Sequence, residues 1–217
     1  ILVIDAVSNI DFDQLDYLKK DNRVRIIISH IRPGIASTLN LGLEVALGDI
    51  IVRLDDGDIN LRKDLNLEIT MLSKFDLVCG SMLVGSYSNE RLVIPKIINW
   101  SGCIGPFSIL PHPTWVLKKN SIKKKYDLKD FRCEDYGLIV RNKLSVGIAD
   151  KVVCKYETDN HLYFFKELKS LYAKTRIGFQ DSKNLLIICD YFLYVILRIL
   201  RLTITTKKVV QSEKRSS

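Results

Sequence analysis

The chain has 217 residues, room for one domain with a short appendage and too few for two full-sized ones. With 47% hydrophobic and 27% charged residues it is no disordered tail, low-complexity fibre or multi-span membrane protein. Lys and Arg number 33 against 25 Asp and Glu, a formal charge of +8 that favours anionic partners.

Ile1–Asp5 is a short apolar run ending near Ser8-Asn9, which predicts a buried strand and a loop. Residues 12–20 place Phe12, Leu15 and Leu18 at helical spacing, and Val24–Ile28 reads as a second strand. Gly34 opens a helix with Ile35, Leu39, Leu43 and Leu47 on one face, and Gly48 is its expected C-terminal cap. A third strand, Ile50–Leu54, runs straight into Asp55-Asp56-Gly57-Asp58. A helix over 61–73 and a fourth strand, Phe75–Cys79, follow. This alternation predicts an α/β fold with a mostly parallel sheet flanked by helices. Ligands of such sheets bind at the carboxyl ends of the strands, where the loop after Asp5 and the turn at 55–58 both fall.

From 81 to 118 the pattern weakens into a loop-rich stretch suited to substrate contacts. Cys133–Asn142 reads as a helix opening on Glu134-Asp135, and Val146–Ala149 and Lys151–Tyr156 as short strands. Residues 162–178 and 183–202 read as two closing helices, and 206–217 as a disordered basic tail. The expected organisation is a core over 1–160, a helical extension over 161–205 and the tail. In the last helix Asp190, Tyr194, Arg198 and Arg201 form one polar stripe on an apolar body. Asp190 in its middle argues against a membrane span and leaves a core-packing helix or an in-plane interfacial one. In the second case the lysines after residue 206 would suit an anionic leaflet.

Three carboxylates in the turn at 55–58 repel one another unless a cation lies between them, and hard oxygen ligands suit Mg²⁺ or Mn²⁺. The plainer alternative is a solvated turn, because Asp-Gly is common turn chemistry. Glu134 and Asp135 either complement a helix dipole or supply a general base. His112, between Pro111 and Pro113, is held by rigid neighbours and serves either the fold or the acceptor region. The five cysteines form no CxxC pair and read as free thiols in a reducing, cytoplasmic compartment. Nucleic acid is excluded as a partner: no basic run interleaves aromatics, and strand-end carboxylates repel phosphate.

In order along the chain, ILVIDAVSN, RPGIASTLNLGLEVALGDIIVRLDDGD, PHPTWVLKK, YDLKDFRCEDYGLIVRNKLSVGIADK and KYETDN closely resemble a family 2 glycosyltransferase of the GT-A fold. The resemblance covers roughly residues 1–160 and is strongest in the Gly-x-Ala…Gly-Asp stretch leading into the acidic turn. It implies inverting transfer from a nucleotide-diphosphate sugar to a saccharide or lipid-linked acceptor, in capsule, O-antigen or exopolysaccharide synthesis. It implies Asp135 as the base, Glu134 as a support of the acceptor or the base, and a divalent metal on Asp55, Asp56 and Asp58. Asp5, Arg32, Asn40, Asp55 and Asp56 would line the nucleotide-sugar site, and His112 the acceptor region. The implied place of work is the cytoplasm, with peripheral contact to the inner membrane face through 183–217.

The chain departs from that family at three points. The family's first strand and aromatic-Asn loop are expected upstream of Ile1, Ala6 stands where a second aspartate is usual, and Gly57 replaces the usual metal-contacting aspartate. These departures define an alternative: a truncated or impaired GT-A remnant that acts at most as a binding partner. If the turn is a metal site, Gly57→Asp should tighten Mn²⁺ binding in a calorimetric titration. Unchanged affinity would mean that the turn has another register.

Overall fold

The computed structural model describes residues 2–5, 20–29, 34–85, 90–100, 103–105, 108–130, 133–157 and 177. The helix expected at 12–20 apart from Lys20, that at 183–202, the tail, and Arg32 and Ala6 lie outside the described residues. So does the 162–178 helix apart from Ile177, which is helical and fully buried. Among the described residues no helix is long and apolar enough to cross a membrane.

Strands β1 (Leu2–Asp5) and β2 (Ile26–Ser29) pair in parallel as a two-stranded sheet. Helix α1 (Ile35–Val45) follows, with Gly34 at its N-cap as expected. Its C-cap is Ala46 and not Gly48, so Leu47 falls beyond the helix and is 84% exposed. Leu39 and Leu43 do turn to the core. Next come β3 (Ile50–Val52), β4 (Ile59–Asn60) and a short α2 (Asn66–Met71). Helix α2 starts later than the periodicity suggests because the residues before it bond elsewhere. Arg62 donates to the Thr114 carbonyl at 2.8 Å, and the Asp64 carboxylate caps the Asn66 N–H at 2.9 Å.

Strand β5 (Leu77–Val84) is the backbone of the fold, an apolar run covered on both faces. Beyond it lie β6 (Arg91–Val93), β7 (Asn99–Trp100), β8 (Cys103–Ile104) and β9 (Val116–Lys118). Helix α3 (Glu134–Asn142) and the long β10 (Val146–Tyr156) complete the described chain. The main sheet has six strands in the order β3-β9-β5-β10-β4, with β6 sharing the β9 edge of β5. The two strands expected after residue 145 are one continuous strand with register shifts between Ile148 and Cys154. Bulged residues there absorb the polar interruption at Asp150-Lys151 without ending the pairing.

Pairing is mixed, where the sequence pattern suggests mostly parallel. Strand β10 runs parallel to β5, whereas β9 and β6 pair antiparallel to β5, β3 to β9 and β4 to β10. The reason is that β9 enters from a single 3₁₀ turn, His112–Thr114, with no crossover helix to reverse its direction. Being antiparallel to β9, β3 still points the same way as β5 and β10. The carboxyl ends of these three strands therefore share one edge, and the acidic turn crosses that edge between β3 and β4.

Alternation sorts the core into two layers. Leu77, Cys79, Trp115, Leu117 and Val146 face α1 and α3, packing with Leu138 and Ile139. Val78, Val116 and Ala149 face the opposite way, against Leu72 and Phe75. Ile177 packs with Cys133, Tyr136 and Val140 on α3. Burial pushes the Cys79 thiol up to about 12, which leaves it an inert core residue. Inside α3, Gly137 is pressed against a buried ion pair of Asp130 and Arg141, and a β-carbon there would strike Asp130 Oδ2. Gly137→Ala should therefore cost about 3 kcal/mol in denaturant unfolding, by parting a buried pair. A loss under about 0.5 kcal/mol would show that this pair is not held as described.

Candidate active site

Arg53 is the one charge in an otherwise apolar strand segment, and the fold keeps it inside. Its backbone N–H donates to the Trp115 carbonyl at 2.9 Å, so the chain stays fastened one residue past β3. Its side chain is only 5% exposed. A guanidinium does not deprotonate, so burial obliges the fold to surround it with acceptors. Arg53 Nε donates to Asp55 Oδ1 at 3.0 Å, and Nη1 donates to Asp135 Oδ1 and lies 3.5 Å from the Tyr126 hydroxyl. The guanidinium carbon stands 6.0 Å from the Trp115 ring centre, at the outer reach of a cation–π contact. Burial raises the Tyr126 hydroxyl well above its ordinary value, so it stays a neutral phenol.

His112 closes the circuit. Its Nε2 lies 2.7 Å from Asp55 Oδ2 and its Nδ1 lies 3.0 Å from Asp135 Oδ2. Both ring nitrogens face carboxylates, so both must carry protons to donate, and the ring is an imidazolium. Burial opposes that charge, but the hydrogen bonds to Asp135 and Asp55 outweigh it and raise His112 to about 9. The two carboxylates answer in kind. Burial would raise Asp55, yet His112 and Arg53 hold it at about 2. Burial likewise opposes ionisation of Asp135, and the same two cations overcome it and keep its carboxyl below the usual range. Two positive and two negative groups thus form a closed, neutral ring joining the acidic turn to the first turn of α3.

The other site residues proposed from the sequence fall around this ring. Glu134 is 8% exposed, and burial raises its carboxyl. Asn40 pins the backbone of Tyr126: its amide donates to the Tyr126 carbonyl and its oxygen accepts the Tyr126 N–H, both at 2.8 Å. Asp5 ends β1 beside Ser29 of β2. Asp56 is exposed, and Gly57 takes φ +80°, the left-handed turn conformation that glycine adopts freely. Asp58 is different: its carboxylate oxygens are buried with the Cys154 thiol beside them, and burial and then Asp55 raise its pKa. A buried carboxylate whose only side-chain partner among the described residues is a neutral thiol fits a hard divalent cation. Among the described residues, however, no three His, Cys, Asp or Glu side chains stand together as a metal cage.

Beside the ring opens a cavity of about 430 Å³, with Asp135, Trp115, Tyr136, Tyr156 and Arg91 in its wall. That volume is within the roughly 300–1,000 Å³ of small-molecule sites. Sequence reasoning overlooked Arg53, Tyr126 and Arg91. Arg53 carried a usable signal, since an arginine closing an apolar strand just before a carboxylate turn needs buried partners. Tyr126 and Arg91 carried none, because their neighbours come from distant parts of the chain.

Comparison with known proteins places the chain in a family. The family described as glycosyl transferase family 2 matches residues 1–144, and the chain belongs to that family. An uncharacterized glycosyltransferase of Methanocaldococcus jannaschii is 24% identical over 186 residues, spanning 78% of this chain and 63% of its relative. The crystal structure of TarS 1–349 from S. aureus in complex with UDP superposes with a TM-score of 0.58 at 13% identity. It covers 88% of this chain and 60% of that one. TarS 1–349 in complex with UDP-GlcNAc gives 0.56 at 11% identity, over 88% and 62% of the two chains. The chain thus spans about three fifths of the length of these relatives. The GT-A architecture expected from the sequence is the architecture found.

The ring sets a pH window. His112 is raised, so its contribution is full below about 6.5, the unfolded value, and is lost as pH climbs through about 9. Asp55 is lowered, so its contribution is present above about 4 and is lost as pH falls through about 2. Stability from the ring should therefore peak between about pH 4 and 6.5. Between pH 6 and 9.5 the wild type should lose on the order of 1 kcal/mol more than His112→Gln. The figure is discounted because the His112 side chain is 38% exposed. Parallel melting curves of the two proteins across that range would contradict the imidazolium bridge.

Proposed function

We propose that this chain transfers a glycosyl group, with inversion, from a nucleotide-diphosphate sugar to a saccharide or lipid-linked acceptor. One observation carries the reading: the Asp135 carboxylate lines the cavity while also bonded to the two cations that grip Asp55 of the acidic turn. A proton acceptor for the acceptor hydroxyl and a donor-side turn are thereby held in one unit. Family membership supports the reaction class. The neighbours described with UDP and UDP-GlcNAc make a uridine nucleotide the first donor to try.

In this mechanism an acceptor hydroxyl enters the cavity and donates to Asp135. Each carboxylate oxygen has two lone pairs, so one already bonded to Arg53 or His112 can accept another hydrogen bond. The hydroxyl oxygen attacks the anomeric carbon on the face opposite the diphosphate. Its proton passes to Asp135, the bond to the diphosphate breaks, and the configuration inverts. Arg53 and His112 serve the step by keeping Asp135 ionised, and Glu134 supports the acceptor or the base. Asp58, with Asp55 and Asp56 in the same turn, would hold Mn²⁺ or Mg²⁺, which supplies charge neutralisation for the departing diphosphate. The setting we infer is cytoplasmic synthesis of a cell-surface polysaccharide, with 183–217 as a peripheral membrane contact.

Gly57 in the acidic turn and the engagement of every oxygen of Asp55 and Asp135 favour a second reading, a folded remnant without turnover. Calorimetric titration with UDP and GDP, with and without Mn²⁺, separates the two. Metal-dependent binding of either nucleotide is the result expected of an enzyme, and no binding in any combination favours the remnant. In an active protein Asp135→Asn should lower kcat by 10²-fold or more and leave nucleotide affinity within about twofold. Weakened nucleotide binding with unchanged turnover would move Asp135 out of the role of base.

A further inference from the structure

We propose that the cavity beside Asp135 selects an acceptor bearing an anionic group, a sugar carboxylate or a phosphate, which docks on Arg91. The inference rests on the glycosyl-transfer reading above and adds the chemistry of the acceptor. Of the described side chains lining the cavity only Arg91 and Asp135 carry charge; the others are mainly apolar and aromatic. Asp135 is neutralised by Arg53 and His112. Arg91 has no such counterpart. Its sequence neighbour Glu90 is taken by Lys155, at 2.9 Å, and among the described residues Arg91 forms no ion pair. Among the described residues the cavity is therefore left with one uncompensated positive charge.

Sheet register fixes where that charge stands. Arg91 pairs with Val84 of β5, and Val84 pairs with Tyr156 of β10, so the three share one rung at the open end of the sheet. Residues on one rung of adjacent strands project from the same face. Arg91 and Tyr156 thus flank Val84 as one wall, and Tyr136 and Asp135 come from α3. A pyranose laid against the tyrosines would set its apolar C–H face on the rings and one hydroxyl toward Asp135. A carboxylate or phosphate at its edge would meet the Arg91 fork, whose planar donors match such groups in bidentate fashion. Trp115 adds a second donor, because its buried indole N–H has no partner among the described residues and the residue lines the same cavity. An acceptor oxygen would satisfy it.

The test measures binding of methyl β-glucuronide, methyl β-glucoside and a short-chain prenyl phosphate to the full chain, without nucleotide, by NMR titration. Wild type should hold the glucuronide or the prenyl phosphate at least about tenfold more tightly than the neutral glucoside. Whichever of the two binds more tightly distinguishes a sugar acid from a lipid phosphate. Arg91→Ala should bring the anionic probe to within about twofold of the glucoside, whose own affinity stays put, and Arg91→Lys should keep part of the preference. Circular dichroism would verify folding of these edge-strand variants. Equal affinity for all probes in wild type, no binding of any probe, or a preference surviving Arg91→Ala would each overturn the proposal. Nucleotide titration is scored separately, so a failed donor site and a failed acceptor preference remain distinguishable.

Discussion

The site depends on one buried cation. Arg53 lies inside the protein with no means of losing its charge, and the surrounding chain is arranged to answer it. Asp55 supplies one acceptor from two residues downstream, Asp135 a second from α3, and Tyr126 a phenol oxygen. A buried pair of this kind earns little net stability against an apolar alternative of the same shape, whereas parting it is expensive. Its value here is positional. By bonding at once to the turn after β3 and to the start of α3, Arg53 forbids those segments to drift apart. His112 repeats the link from the other side, so each carboxylate is held by two cations.

The sheet makes that meeting possible. β3, β5 and β10 run in one direction and end at one edge, though β9 lies antiparallel between β3 and β5. The insertion matters, because the segment entering β9 carries His112 and Trp115 directly over the strand ends. In a purely parallel sheet a crossover helix would occupy that approach. β5 divides one of its edges, giving its first residues to β9 and its last to β6. The second half of that edge brings Arg91 to the rim of the cavity. One long strand thus connects the ring with the pocket wall.

Charge is distributed with a consistent logic. Around the ring it cancels, so Asp135 stays ionised without a field that would repel a polar substrate. Away from it, Asp58 keeps a carboxylate buried beside the Cys154 thiol, and Arg91 forms no ion pair among the described residues. One lies in the acidic turn and the other across the cavity. On the proposed function, the first would face the donor and the second the acceptor.

Much of this was legible from residue order. Apolar runs at strand length, the Leu39–Leu43 helix face and the acidic turn directly after a strand fixed the α/β class, because burial and hydrogen-bond periodicity act locally. Glu134 and Asp135 were found by their place in a first helical turn, and His112 by its flanking prolines. The strand direction of β9, the end of α1 at Val45, the continuity of β10 and the short α2 were not legible. Partners far along the chain shape such features: Trp115 for Arg53, Thr114 for Arg62, Val84 for both Arg91 and Tyr156. The same holds for the ring. Sequence placed two carboxylates and a histidine as separate candidates tens of residues apart. Only the tertiary structure joined them through Arg53, because a buried guanidinium takes its partners from whatever the fold brings within hydrogen-bond reach.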